Sequence, residues 1–168
     1  DRTFNGGERD PHIWLSPKRA KIMVQAIADE MSNIDSQNKD TYQKNAKSYI
    51  AQLDSLDKEI SSSLDGVSNK TFIVYHPAFG YLADDYGLNM FALEEEGKEA
   101  TPQHLQDMID LAKKDNIKVI FYQEEIDSSQ SKAFAEELGG KTTQLSPLSA
   151  DYIENLKNMA KTMAEAMQ

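Results

Sequence analysis

Two helical patterns of apolar residues occupy the first 65 positions of the chain. One helix is predicted to begin at Ser16-Pro17, because proline is favoured at the first helical position, and its apolar residues continue at helical spacing to Met31. A second pattern runs from Ser36 to about Leu64 without glycine or proline. Roughly 28 residues at 1.5 Å each give a helix about 40 Å long. Such a helix is either a strand of a coiled coil or a strut between two lobes.

From Gly66 onward, short apolar runs alternate with amphipathic helices in the order βαβαβαβα. The predicted strands cover residues 71–75, 88–93, 118–122 and 141–145, and the predicted helices cover 78–86, 102–116, 128–138 and 151–167. With right-handed crossovers, this order predicts an α/β fold with a four-stranded, mostly parallel sheet flanked by helices. Ligands of such sheets bind at the carboxyl ends of the strands.

Composition and charge narrow the classes of partner. The 168-residue chain has 28 acidic and 18 basic residues and a net charge of −10, which disfavours nucleic acid and anionic lipid. It has no cysteine, which excludes disulfides and thiolate metal sites. A glycine-rich phosphate loop, a Gly-x-Ser-x-Gly elbow and a His-Glu-x-x-His pair are also absent from the sequence. Nucleotide binding and the commonest hydrolase chemistries are therefore disfavoured.

Three histidines are the candidates for site chemistry. His12 lies in DPHIWLSP, in a loop before a predicted helix, and His76 directly follows the first predicted strand. His76 therefore lies at the carboxyl edge of the sheet, where an imidazole can act as a base or bind a metal. Taken singly, each of these two residues can equally be structural. His104 falls in the first turn of a helix among polar residues, and it is predicted to lie at the surface.

Two groups of carboxylates follow the second and third predicted strands, at the same edge as His76. Such groups are typical of solvated loops, but their position also makes them candidates for a site. They are Glu94, Glu95, Glu96 and Glu99 after the second strand and Glu124, Glu125 and Asp127 after the third.

Four motifs in a fixed order then give the chain a family resemblance. They are DPHIWLSP at residues 10–17, YHPAFGYL at 75–82, EEGKEATP at 95–102 and SPL at 146–148. Together they resemble the metal-binding solute-binding proteins of zinc and manganese ABC importers, and most closely the ZnuA-like, adhesin-type lipoproteins. The resemblance covers nearly the whole chain.

The resemblance implies an architecture in which one long rigid helix joins two α/β lobes, with the metal bound between them. On this basis residues 1–35 are the end of an N-terminal lobe, 36–65 are the linker helix and 66–168 are the C-terminal α/β lobe. The family's first histidine would then belong to a part of the N-terminal lobe that this chain does not contain.

The resemblance also implies the ligands and the metal. His12 and His76 match family ligands, and the expected ion is Zn²⁺, with Mn²⁺ as the alternative. The family often has an aspartate where this chain has Ser146, which leaves a fourth protein ligand open. Glu124 or Glu125 are possible substitutes, whereas Asp151 is predicted to cap the last helix.

The function implied is binding of the ion outside the cytoplasmic membrane, by a protein anchored as a lipoprotein at full length, and its delivery to an ABC transporter permease in that membrane, without catalysis. A metal-assisted hydrolase or lyase that uses the same two histidines is the alternative. Nucleic acid is not an expected partner. A chain that lacks most of its first lobe would expose a surface, and is therefore expected to form dimers.

Overall fold

A four-stranded parallel sheet lies at the centre of the computed structural model, which describes residues 2–4, 6–94, 97–123 and 129–168. The strand order is β2-β1-β3-β4, and all three pairings are parallel. This confirms the predicted α/β fold. The strands are β1 (Thr71–Val74), β2 (Asn89–Ala92), β3 (Val119–Gln123) and β4 (Lys141–Leu145).

Six α-helices surround the sheet within the described part of the chain. They are α1 (Pro17–Ile34), α2 (Lys39–Asp65), α3 (Gly80–Tyr86), α4 (Pro102–Lys114), α5 (Ser129–Glu137) and α6 (Tyr152–Ala166). The long helix was predicted from Ser36, but residues 36–38 form a 3-10 turn, in which the Asn38 N–H donates to the Asp35 carbonyl. The prediction of α3 from Ala78 was also early, because the Ala78 N–H bonds back to the His76 carbonyl in a turn.

Local sequence signals explain the ends of the helices near the site. The Ser16 side chain accepts a hydrogen bond from the Arg19 N–H, and Pro17 occupies the first helical position, so α1 begins as predicted. The last helix differs, because Asp151 lies at its N-cap position but its side chain makes no capping hydrogen bond. The predicted capping role of the Asp151 side chain is therefore wrong.

The core lies on both faces of the sheet. Phe72 and Val74 of β1 pack into a large cluster with α2, α3 and α6, and the alternate residues Ile73 and Tyr75 pack into a second cluster with α4 and α5. Helix α1 packs along α2 and contributes Ala20 to the large cluster. The period-2 alternation of β1 thus fixes helices on both faces of the sheet.

The sheet directs two loops toward one edge. Beyond the ends of β1 and β2, the N–H groups of Leu93 and Glu94 continue the ladder by donating to the carbonyls of Val74 and Tyr75. His76 and Glu94 therefore leave the sheet side by side. The segment that carries His12 reaches the same edge because it lies against α3, the helix that follows His76.

Candidate metal site

The His12 ring is oriented by a buried carboxylate two residues earlier in the loop. Asp10 Oδ1 accepts hydrogen bonds from the His12 backbone N–H at 3.0 Å and from ring Nδ1 at 2.8 Å. The Asp10 side chain is 0% exposed. Because an ionised carboxylate can only accept, we assign the proton of the neutral His12 ring to Nδ1. The lone pair of Nε2 is then available to a metal.

A carboxylate also orients the His76 ring, but here it comes from a more distant part of the chain. Ring Nδ1 lies 2.9 Å from Glu94 Oε2, and the Glu94 side chain is only 9% exposed. By the same argument Nδ1 carries the proton and Nε2 carries the lone pair. Carboxylates that accept from the distal nitrogen of a histidine are typical outer-shell partners of metal ligands, and they make the ligand more basic.

The two available nitrogens converge. His12 Nε2 and His76 Nε2 lie 3.3 Å apart, and the ring planes are inclined by 78°. Two zinc–nitrogen bonds of about 2.0–2.1 Å that meet at a tetrahedral angle separate their nitrogens by about 3.3–3.4 Å. The observed distance therefore matches that between two nitrogen ligands of a tetrahedral zinc ion. The side chains are 13% and 26% exposed, so an ion can still reach them from solvent.

The described residues bring two imidazole nitrogens together but do not form a complete metal site. Within residues 2–4, 6–94, 97–123 and 129–168, no group of three or more histidines and carboxylates could hold a metal ion. Asp10 and Glu94 bind the Nδ1 atoms, on the sides of the rings away from the shared Nε2 position. The remaining positions around a tetrahedral ion would be filled by water or by groups outside the described residues.

Aromatic rings and the segment after β4 surround the His12 side of the site. The Trp14 ring lies 5.4 Å from the His12 ring, and Phe4 lies 6.4 Å from it in an edge-on arrangement. Trp14 Nε1 donates to the Pro147 carbonyl at 3.0 Å, and the Tyr152 hydroxyl donates to the Trp14 carbonyl at 2.6 Å. Burial raises the pKa of Tyr152, which keeps this donor protonated. The Ser146-Pro147-Leu148 motif thus supports the tryptophan of the His12 loop.

The remaining sequence candidates lie away from the two nitrogens or outside the described residues. His104 was predicted at the surface, but it is half-buried, and its Nε2 lies 2.9 Å from the Ala92 carbonyl at the end of β2. Ser146 Oγ donates to the Leu148 carbonyl, and Glu99 is exposed. Five of the candidate carboxylates lie outside the described residues, namely Glu95, Glu96, Glu124, Glu125 and Asp127.

Sequence reasoning did not identify Asp10 and Glu94 as the partners of the two histidines. The signal for Asp10 was its place two residues before His12, which allows it to bond both the backbone and the ring. The signal for Glu94 was its position just after β2, the strand that pairs with β1. To use this signal, one must know that β2 lies next to β1, and the sequence pattern does not give the strand order.

Comparison with known proteins identifies the family. The chain matches, over residues 2–166, the family described as "Zinc-uptake complex component A periplasmic". It belongs to this family. The family match confirms the resemblance that the four motifs carry.

Individual relatives agree with this assignment. The "Zinc-binding lipoprotein AdcA" of Streptococcus pneumoniae is 38% identical over 152 residues, 89% of this chain and 30% of that protein. A crystal structure of ZnuA is similar with a TM-score of 0.96 and 36% identity, over 99% of this chain and 66% of that one. A zinc-bound ZnuA deletion mutant has a TM-score of 0.92 and 37% identity, over 96% of this chain and 62% of that one. The chain thus spans only part of the length of these relatives.

Proposed function

We propose that this chain binds a divalent metal ion, zinc, through His12 and His76, and that the protein delivers the ion to an ABC transporter permease. The observation that carries the proposal is the 3.3 Å separation of the two Nε2 atoms. The similarity to a zinc-bound ZnuA structure and to a zinc-binding lipoprotein supports the choice of ion.

The chemistry of the donors favours zinc over manganese. Both donors are imidazole nitrogens, which suit zinc, whereas manganese prefers carboxylate, carbonyl and water oxygens. The nearest carboxylates, Asp10 and Glu94, hold the Nδ1 atoms and leave the Nε2 position rich in nitrogen. Since Nδ1–H donation increases ligand basicity, the two carboxylates strengthen binding without coordinating the ion.

Binding without turnover fits this arrangement better than the hydrolase or lyase alternative. Metal-assisted hydrolysis needs a general acid or base beside an open coordination position. Asp10 and Glu94 are both engaged on the far side of a histidine ring. Neither carboxylate therefore faces the water that a hydrolase would activate.

The proposed site of action is outside the cytoplasmic membrane. The family description names a periplasmic component, and AdcA is described as a lipoprotein. None of the described helices has the length and apolar character that a bilayer crossing needs. Anchoring as a lipoprotein next to the permease is part of the same proposal.

The proposal extends to self-association of this chain when it is isolated. Helix α1 packs on α2, but four of its large apolar side chains remain exposed. Exposed apolar groups of this kind mark interaction surfaces. A light-scattering mass above that of the monomer at high concentration supports dimers, and a monomer mass contradicts them. The side chains are Ile22, Ile27, Met31 and Ile34.

Calorimetric titration with zinc tests the proposed function. His12→Ala and His76→Ala should each lose most of the zinc binding of the unchanged chain, because each removes half of the nitrogen donors. His104→Ala is the matched control, since its ring bonds the Ala92 carbonyl away from the site. Unchanged zinc affinity in the His76 variant would overturn the assignment. Hydrolysis of a generic ester or phosphoester by the zinc-loaded chain would favour the enzyme alternative.

A further inference from the structure

Arg2 connects the loop that carries His12 to the helix that follows His76. Its Nε donates to Asp10 Oδ2 at 3.3 Å, and its Nη1 donates to Asp84 Oδ1 on α3 at 2.6 Å. The other oxygen of Asp10 holds the His12 ring. A continuous chain of polar contacts therefore runs from His12 through Asp10 and Arg2 to Asp84.

We propose that Arg2 and Asp84 are positioning residues of the metal site, which hold His12 at the separation from His76 that zinc requires. The inference rests on the proposed zinc function. Neither residue touches the ion in this proposal. Arg2 acts through Asp10, and Asp84 acts through Arg2.

Further contacts with α3 hold the Arg2 segment next to the His12 loop. Its backbone N–H donates to the Tyr81 hydroxyl at 3.0 Å, and that hydroxyl donates to the Asp10 carbonyl at 3.3 Å. A Cβ added at Gly80 would meet the Arg2 guanidinium, which would then have to shift. Glycine at position 80 thus leaves room for the arginine against the first turn of α3.

The buried position of Asp10 explains why a cation is needed there. The Asp10 side chain is fully buried, and one of its oxygens already accepts from the backbone N–H and ring Nδ1 of His12. Arg2 is the cation that pairs with the second oxygen. Removing one partner of a buried charge leaves that charge uncompensated, so the carboxylate is expected to reorient when Arg2 is lost. Reorientation of Asp10 would release the His12 ring.

The pKa of Arg2 is also set by its contacts with Asp10 and Asp84. Burial alone would lower the pKa of Arg2, but the hydrogen bonds and negative charges of Asp84 and Asp10 outweigh it and raise the pKa. The guanidinium is thus held between two carboxylates, one in the His12 loop and one on α3. Arginine suits this task because its planar fork can bond two acceptors at once.

The sign of the change in zinc affinity on removing Arg2 distinguishes a positioning role from a purely electrostatic one. Arg2 is a positive charge near a cation site, so its removal by long-range electrostatics alone would tighten zinc binding. The positioning role predicts weaker binding instead. Arg2→Lys keeps the charge but cannot present the same fork, so it should also weaken binding.

The experiment is zinc titration of the 168-residue chain and of Arg2→Ala, Arg2→Lys, Asp84→Asn and the double variant Arg2→Ala/Asp84→Asn. Loss of an outer-shell partner weakens metal binding by about 10–100-fold, and we expect about tenfold for Arg2→Ala. The double variant should bind zinc no more weakly than Arg2→Ala, because Asp84 acts only through Arg2 and its loss adds nothing once Arg2 is gone.

The ion pair of Lys21 and Asp54 provides the matched control. Its N–O distance is 2.6 Å, the same as for Arg2 and Asp84, and its side chains are 25% and 51% exposed against 29% and 47%. It joins α1 to α2 away from the histidines. Lys21→Ala and Asp54→Asn should leave zinc affinity unchanged within about twofold, as expected for an exposed pair.

A second readout does not need zinc. Long-range ¹H–¹⁵N spectra of the metal-free chain at mildly alkaline pH report which ring nitrogen carries the proton. In Arg2→Ala we expect His12 to become a mixture of tautomers while His76, held by Glu94, keeps its proton on Nδ1. If Arg2→Ala instead changes both rings and lowers the unfolding temperature, Arg2 supports the fold in general, and the specific positioning role is wrong.

The outcomes distinguish the two proposals. If His12→Ala and His76→Ala abolish binding but Arg2→Ala binds zinc as well as or better than the unchanged chain, the positioning role is wrong and the zinc site stands. If the unchanged chain binds no zinc, the proposed function is wrong, and the positioning role that rests on it is wrong as well. Weaker binding in Arg2→Ala with a change confined to the His12 tautomer supports the inference.

Discussion

The Nε2 atoms of His12 and His76 lie 3.3 Å apart, although the two residues are 64 positions apart in the chain. Each ring is held on its opposite nitrogen by its own carboxylate, Asp10 for one and Glu94 for the other. The pair is therefore oriented by protein contacts. Preorganisation of this kind reduces the ordering that an incoming ion must impose on its ligands.

Replacing either carboxylate should weaken zinc binding without removing a ligand. Asp10→Asn and Glu94→Gln keep the shape of the side chain but remove the charge that makes the histidine more basic. We expect a loss of about 10–100-fold in zinc affinity for each variant, measured by calorimetry or by competition with a chelating dye.

Glu99→Gln is the control for loss of charge alone. Burial and the charges of Glu94 and Glu99 together raise the pKa of Tyr75, so both glutamates act electrostatically on this edge of the sheet. Glu99 is exposed, and it makes no hydrogen bond to either site histidine among the described contacts. If Glu99→Gln weakens zinc binding as much as Glu94→Gln does, the role of Glu94 is general electrostatics and not orientation of His76.

Much of the fold could be predicted from the sequence because its elements are strongly patterned. β4 was predicted with the bounds that the structure has, residues 141–145, and α1 begins at Pro17 as its capping signals indicated. Errors occurred where a turn replaces the first residues of a helix, at Ala78 and Ser36. In both places short-range backbone hydrogen bonds compete with the helical pattern, and periodicity does not report them.

The site could be predicted only in part. Family resemblance indicated His12 and His76, but the pairing of these rings with Asp10 and Glu94 depends on the parallel register of β1 with β2 and on the fold of the His12 loop. The contacts of Arg2 with α3 were not predicted either, since the hydrogen bond to Asp84 joins residues 82 positions apart. Contacts over such distances in the chain leave no local pattern for sequence reasoning to use.

Zinc should bind more tightly than manganese. With two imidazole donors, the order of affinities for divalent first-row metals places zinc well above manganese, and the nitrogen donors reinforce it. We expect a difference of at least about tenfold in parallel calorimetric titrations. Equal affinities for the two ions would indicate that oxygen ligands dominate the site, contrary to the assignment of two histidines as its principal donors.

Trp14 should report zinc binding by fluorescence. It is the single tryptophan of the chain, and its ring lies 5.4 Å from that of His12. An ion that binds Nε2 of His12 changes the charge beside the indole, so emission should change with zinc and should saturate at the calorimetric stoichiometry. Magnesium, which prefers oxygen ligands, should have no effect. A zinc-dependent change that persists in His12→Ala would show that the signal arises elsewhere.

Tyr86 should make the stability of the protein sensitive to alkaline pH. Its pKa is raised, first by burial and then by the hydrogen bond that its hydroxyl donates to Asp57 on α2 at 2.9 Å. A group whose pKa is raised on folding contributes stability that is complete below its unfolded pKa, about 10 for tyrosine, and decreases as the pH rises toward the folded value. We therefore expect the free energy of unfolding to fall above about pH 10, with a smaller fall in Tyr86→Phe.

At neutral pH, Tyr86→Phe should lower the free energy of unfolding by about 1 kcal/mol through the lost hydrogen bond. Denaturant unfolding of both proteins at several pH values checks this, and equal slopes against pH would contradict it.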